Sequence, residues 1–213
     1  MTPPVIPPPH RWAEAEQHLA AADPTLGDLI AAVGPCTIEP RGDAPYTALM
    51  RSVVYQQLSG KAAATIYGRL LERFGGTVPE PAALAATPPD DLRAAGLSWA
   101  KTAALLDLAR HAIDGALPPL DEVHALTDAE LVERLTRVKG VGPWTVQMYL
   151  MFGLGRPDVL PDKDLGVQEG ARILYGGDRP SPAALLALGE AWRPWRTVAS
   201  WYMWRAVDRA RGE

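Results

Sequence analysis

A chain of 213 residues with 47% hydrophobic content and a formal charge of −4 has ample apolar surface for a core and fits one large domain or two small ones. A single cysteine, Cys36, excludes an internal disulfide framework and any four-cysteine zinc or iron–sulfur site. The acidic balance weighs against a nucleic-acid partner, but Arg172, Arg179, Arg193, Arg196, Arg205, Arg209 and Arg211 crowd the last third and leave room for a local basic face.

The opening stretch 1–10, MTPPVIPPPH, lacks a basic start followed by an apolar run and reads as a disordered, proline-rich tail rather than a signal peptide. Beyond it, apolar residues recur at three- and four-residue spacing and strand-like alternation is nearly absent, so the expected fold class is all-α. The predicted helices cover 11–33, 46–57, 60–74, 81–86, 89–95, 99–115, 128–137, 143–154, 164–174, 182–190 and 195–210. The segments ADPTL, TPPDD and LTDAE supply helix starts, and FGG and YGG place glycines past helix ends. No apolar run approaches the roughly 18 to 20 residues that span a bilayer. A cytoplasmic protein with no membrane partner is expected. His10, His18, His111 and His124 lie far apart without carboxylates at ligand spacing, so no catalytic metal is expected.

The stretch RVKGVGPWTVQMYL, 137–150, holds two glycines between two helical runs. One helix ends at Lys139, Gly140 is suited to a left-handed turn, and Gly142 lets the backbone approach something closely. Pro143 then starts the next helix, where its missing N–H costs nothing. The resulting hairpin aims backbone N–H groups from a helix start, a geometry that binds phosphate. Taken alone, the glycine spacing fits a plain packing turn better than a phosphate site.

Four segments in order carry more: YTALMRSVVYQQLSGKAAATIYGRLLERFG, LTRVKGVGPWTVQMYLM, RPDVLPDKDLGVQEGARILYG and LGEAWRPWRTVASWYMWRAV. Together they resemble the helix-hairpin-helix DNA glycosylase superfamily, in its AlkA-type 3-methyladenine-DNA glycosylase group, from about residue 46 to 207. RWAEAEQHLAAADPTLGDLIAAVGP resembles the start of short members of that group. The resemblance implies an all-helical, two-lobed fold with a cleft between the lobes. One lobe would combine 11–45 with 165–213, and the other would span 46–164, with the hairpin at 131–154 and the catalytic aspartate loop. The implied activity is monofunctional base excision repair by a monomer associated with the nucleoid. Alkylated purines would be flipped out of double-stranded DNA and their N-glycosidic bonds hydrolysed.

Residue by residue, the resemblance assigns phosphate binding to Lys139, Gly140, Val141, Gly142 and Thr145. Hairpin carbonyls could hold a structural Na+ or K+, and no other cofactor is implied. The wedge that fills the vacated space is Gln57 or Leu58. The catalytic carboxylate falls on Asp164, with Asp158 and Asp162 as local competitors. Read without the family, Asp164 before an apolar helical run is a routine N-cap. Relatives often carry an acidic residue just before the catalytic one; this chain has Lys163, suited to favouring the charged carboxylate or to contacting DNA. Lyase members use a lysine where this chain has Trp144, so no Schiff base is expected. The implied base pocket comprises Trp144, Met148, Trp204 and Tyr55, and indole suits a cationic alkylpurine. Trp192, Trp195 and Trp201 read as core. The rival reading is a non-catalytic helix-hairpin-helix module that clamps DNA without releasing a base.

Overall fold

The computed structural model describes residues 11–212, so the proline-rich tail at 1–10 lies outside the described residues. Among the described residues every regular element is helical, and no helix is long and apolar enough to cross a membrane. The chain divides into two compact units: Met1–Glu39 with Gly155–Glu213, and Pro40–Leu154.

Helices α1 (Ala13–Ala22), α2 (Pro24–Val33), α11 (Leu165–Tyr175), α12 (Pro182–Leu188) and α13 (Arg196–Arg211) build the terminal unit. The single helix expected over 11–33 is in fact two. Asp23 leaves helical geometry (φ −142°, ψ 94°) and caps the Leu26 N–H at 3.1 Å. Pro24 has no N–H to offer the preceding turn and is pre-set for a first helical position, so the chain restarts there. Asp23 Oδ2 also accepts hydrogen bonds from the Tyr175 hydroxyl and the Trp192 indole, tying α2 to α11 and to the 3-10 turn Gly189–Trp192. Burial pushes Asp23 upward, but these hydrogen bonds together hold it below the ordinary carboxylate value. Helices α11 and α13 press backbone to backbone: a Cβ at Gly170 would meet the Met203 carbonyl oxygen at 2.1 Å.

The remaining helices form the central unit: α3 (Pro45–Tyr55), α4 (Gly60–Glu72), α5 (Pro81–Ala85), α6 (Pro89–Ala94), α7 (Trp99–Ile113), α8 (Leu120–Val123), α9 (Asp128–Leu135) and α10 (Pro143–Met148). Sequence periodicity misses α8, which is a single turn. Ser59, Ser98 and Thr127 cap α4, α7 and α9, the last through a full capping box with Glu130. Leu49, Met50, Leu84, Leu92, Leu105 and Leu108 are fully buried between α3, α5, α6 and α7. At about 1.5–3 kcal/mol for each such side chain, α7 is the spine on which this core is assembled. The helix expected over 143–154 changes character after Met148: Tyr149–Gly153 forms a π-helical turn, closed by the Leu154 N–H on the Tyr149 carbonyl at 3.0 Å.

The unit boundaries differ from those read in the sequence at 45 and 164. Residues 40–44 join the central unit because the Arg41 and Gly42 N–H groups donate to the Phe152 and Gly153 carbonyls, both at 3.0 Å. The segment 155–164, with the aspartate loop, belongs to the terminal unit instead. Thr197 holds it there, accepting from the Val159 N–H at 3.1 Å and donating to the Arg156 carbonyl at 2.6 Å.

Candidate functional site

In the central unit the hairpin lies between α9 and α10. Gly140 adopts φ +78°, the left-handed turn expected of it, and its absent side chain lets it sit against Ala104 of α7. Gly142 is different. Its backbone is extended (φ −99°, ψ 171°), a Cβ there would meet nothing within 4 Å, and it serves as N-cap of α10. Nothing inside the fold calls for glycine at 142, so the space it leaves faces outward.

Of the residues expected to grip phosphate, Lys139 and Val141 have their N–H groups committed within the chain. Lys139 donates to Asp107 Oδ2 at 2.7 Å and Val141 to the Val138 carbonyl at 3.0 Å. Lys139 keeps an exposed side chain for an anion, whereas Val141 and Thr145 are buried. Of the groups expected to bind phosphate, this leaves the backbone of Gly140 and Gly142 and the Lys139 ammonium.

Beside the hairpin, a pocket of about 560 Å³ is lined by Tyr55, Gln57, Leu58, Trp144, Thr145 and Met148, together with Ser52 and Gln56. The volume falls within the range of small-molecule sites. It brings both wedge candidates, three of the four expected base-pocket residues and one hairpin residue to one place. Trp144, 44% exposed, stands on the first turn of α10. Tyr55 is already flanked, by the Arg51 guanidinium 5.0 Å from its ring and by Tyr67 edge-on at 6.2 Å. None of the lining residues is a carboxylate, so this pocket has no acid of its own.

Both wedge candidates are exposed on the turn between α3 and α4. Gln57 sits at φ +55°, the left-handed region that a non-glycine residue rarely enters. The glutamine pair in the sequence offers no hint of that conformation.

The carboxylate lies in the terminal unit. Asp164 is the N-cap of α11, its Oδ1 accepting from the Val167 N–H at 2.8 Å. The same oxygen accepts from the Trp204 indole N–H at 2.9 Å. Trp204, half-buried on α13, reaches it because position 166 is glycine: a Cβ there would lie 2.8 Å from the indole and 3.0 Å from Asp164 Oδ1. Trp204, read in the sequence as a pocket wall, donates a hydrogen bond to the carboxylate, and Gly166 is a residue the sequence reading missed. A glycine two positions after a capping aspartate was the available signal.

Of the two competing aspartates, Asp158 has its carboxylate engaged elsewhere. Asp158 pairs with Arg193 and Arg196, each at 2.6 Å, so part of the C-terminal arginine excess is consumed in holding the 155–164 segment. The Asp162 carbonyl accepts the amide of buried Gln168 at 2.8 Å, placing that residue in the turn before the helix. Lys163 is exposed. Trp192 and Trp201 are buried as core and Trp195 is half-buried. No group of three or more histidine, cysteine, aspartate or glutamate side chains suited to a metal occurs among the described residues.

Residues 50–194 match the HhH-GPD superfamily of base excision DNA repair proteins, and the chain belongs to that family. It is 31% identical over 198 residues to the alkylbase DNA glycosidase-like protein mag2 of Schizosaccharomyces pombe, covering 91% of this chain and 93% of that one. DNA-3-methyladenine glycosylase 1 of the same yeast is 36% identical over 203 residues, covering 92% and 88%. The solved structure of S. pombe 3-methyladenine DNA glycosylase (Mag1) in complex with abasic DNA superposes with a TM-score of 0.82 at 36% identity, over 90% of this chain and 95% of that one.

Proposed function

We propose that this protein is a monofunctional DNA glycosylase of base excision repair. It acts as a cytoplasmic, nucleoid-associated monomer that extrudes alkylated purines of the 3-methyladenine type from double-stranded DNA and hydrolyses their N-glycosidic bonds. The observation that carries the reading is the carboxylate of Asp164, oriented by hydrogen bonds from the Val167 N–H and the Trp204 indole on one oxygen. As the C–N bond breaks, positive charge develops on the deoxyribose and the electron pair leaves with the base. A pre-oriented carboxylate stabilises that charge and can take a proton from the attacking water. Alkylation at a ring nitrogen makes the purine cationic and a better leaving group, so electrostatic help at the sugar suffices.

The central unit supplies the remaining roles. The Gly140–Gly142 backbone and Lys139 hold a phosphate without reading sequence. Gln57 or Leu58 fills the space the base leaves, and Tyr55, Trp144 and Met148 receive it. Trp144 has no nucleophilic nitrogen for a Schiff base, so the strand is left uncut. A structural Na+ or K+ on the hairpin is compatible with the carbonyls present. The Val138 and Gly140 oxygens each accept one hydrogen bond at 3.0 Å and retain a second lone pair, and no step passes through the ion. The names of the two relatives and of the DNA-bound structural neighbour support the same substrate class.

Incubation with methylated duplex DNA, followed by identification of the freed bases, tests the reading. Release of 3-methyladenine and 7-methylguanine, an intact strand with an abasic site, and no borohydride-trapped complex are expected. Tight DNA binding with no free base would favour the non-catalytic clamp, and a trapped complex would overturn the monofunctional assignment.

A further inference from the structure

Helix α7 touches both DNA-facing turns of the central unit. In its first turn, just past the Ser98 cap, Lys101 reaches to the end of α3. Its Nζ donates to the Val54 carbonyl at 2.7 Å and the Gln56 carbonyl at 2.8 Å. Carbonyls at a helix C-terminus lack partners within the helix, so an ammonium there both satisfies them and meets the negative end of the dipole. The next residue is Gln57 at φ +55°. A non-glycine residue in that region costs about 1–2 kcal/mol and persists only where its surroundings over-determine it. Further along α7, Ala104 lies against Gly140, and Asp107 Oδ2 accepts the Lys139 N–H at 2.7 Å. Gln56 links the two turns directly, its amide donating to the Gly140 carbonyl at 3.0 Å and to Thr145 Oγ1 at 3.4 Å.

We propose that Lys101 is a positioning residue for base extrusion: its ammonium holds the 56–58 turn in the shape that presents Gln57 and Leu58, and α7 fixes that turn at a set spacing from the phosphate-gripping hairpin. The inference rests on the glycosylase reading above. Extrusion requires the wedge to enter the stack while the hairpin holds the backbone. If the two turns could slide independently, the strain applied at one would be relieved at the other. The lysine and Gln56 together remove that slack. Burial lowers the Lys101 ammonium from its ordinary lysine value, but two short hydrogen bonds to carbonyls give the charged form its partners.

The test compares one lesion in two duplexes, opposite a normal base and opposite an abasic site, where no partner must be displaced and a wedge matters little. Lys101→Met keeps the chain length and removes the donor. Against the paired lesion, single-turnover excision should fall roughly tenfold or more, as loss of positioning does. Against the unpaired lesion it should fall by less than about threefold, with duplex affinity within about twofold of wild type, because phosphate contacts are untouched. Lys101→Arg, which retains donors, should recover part of the loss. Equal losses on both substrates would mean a purely structural role and overturn the proposal. Should Lys101→Met melt below the assay temperature, Lys101→Gln, which removes the charge and shortens the reach while keeping a polar end, decides the matter by the same comparison. Base release that is absent even from the unsubstituted protein would remove the glycosylase reading, and this inference with it.

Discussion

The two units solve the placement of functional groups in opposite ways. In the central unit the proposed working parts are turns and exposed side chains: Gly140–Gly142, the 56–58 turn and Trp144. Each turn is held from behind by side chains of α7 and by Gln56. In the terminal unit the proposed working part is a single carboxylate, and it is held by packing. Gly166 and Gly170 let α13 close on α11 until an indole can donate to Asp164. A group that must grip a variable phosphodiester can be backbone on a loop. A group that must face a developing charge has to be aimed, and a helix N-cap braced by a second helix does that.

The contrast is tested first where the largest effect is expected. Asp164→Asn preserves shape and helix cap but removes the charge, so single-turnover excision should fall by at least about 10²–10³-fold, the scale for losing one pre-organised electrostatic contact. DNA affinity measured on the same protein should be unchanged or tighter. Equal excision by the variant would end the assignment of Asp164.

Next in size is Trp204→Phe. It keeps an aromatic ring and removes the donor to a charged acceptor, a bond worth about 1.5–3 kcal/mol, so the rate should fall roughly ten- to a hundredfold. If aiming the carboxylate is what Trp204 does, a cationic lesion and a neutral one such as hypoxanthine lose by the same factor. A loss concentrated on the cationic lesion would instead make the indole face a pocket wall.

A smaller effect should separate the hairpin glycines. Gly142→Ala, at an extended residue with open space around it, should leave the melting temperature alone and weaken duplex binding several-fold, alike for all sequences. Gly140→Ala, at φ +78°, should destabilise the fold by about 1–2 kcal/mol. If both variants lost only stability, the open position at 142 would have no ligand to meet.

The smallest effect concerns the terminal unit's bracing. Asp23 is held below its ordinary value of 3.8, so its network adds stability above that pH that is lost as pH falls through the lower folded value. Melting temperatures of Asp23→Asn should therefore be lower than wild type at neutral pH and converge with it in acid. Parallel curves would mean the carboxylate's charge is irrelevant to the Tyr175 and Trp192 contacts.

Local chemistry alone determined much of this protein. Capping residues, prolines at first helical positions and three- and four-residue periodicity placed most helices, because those signals act within a turn or two of the chain. Gly140 as a left-handed turn and Asp164 as a cap were legible for the same reason. The break at Asp23 was legible too, since ADPTL carries both a cap and a proline, but the apolar period running across it outweighed them. Tertiary structure decided what local signals cannot carry. The Trp204–Asp164 bond spans 40 residues and Lys101 meets carbonyls 45 and 47 residues away. Which unit owns 155–164 depended on contacts from buried Thr197 and from Arg193 and Arg196, all some 35 or more residues away. Such contacts follow from how helix faces pack, and a side chain's partner across that packing leaves no periodicity in the sequence on either side.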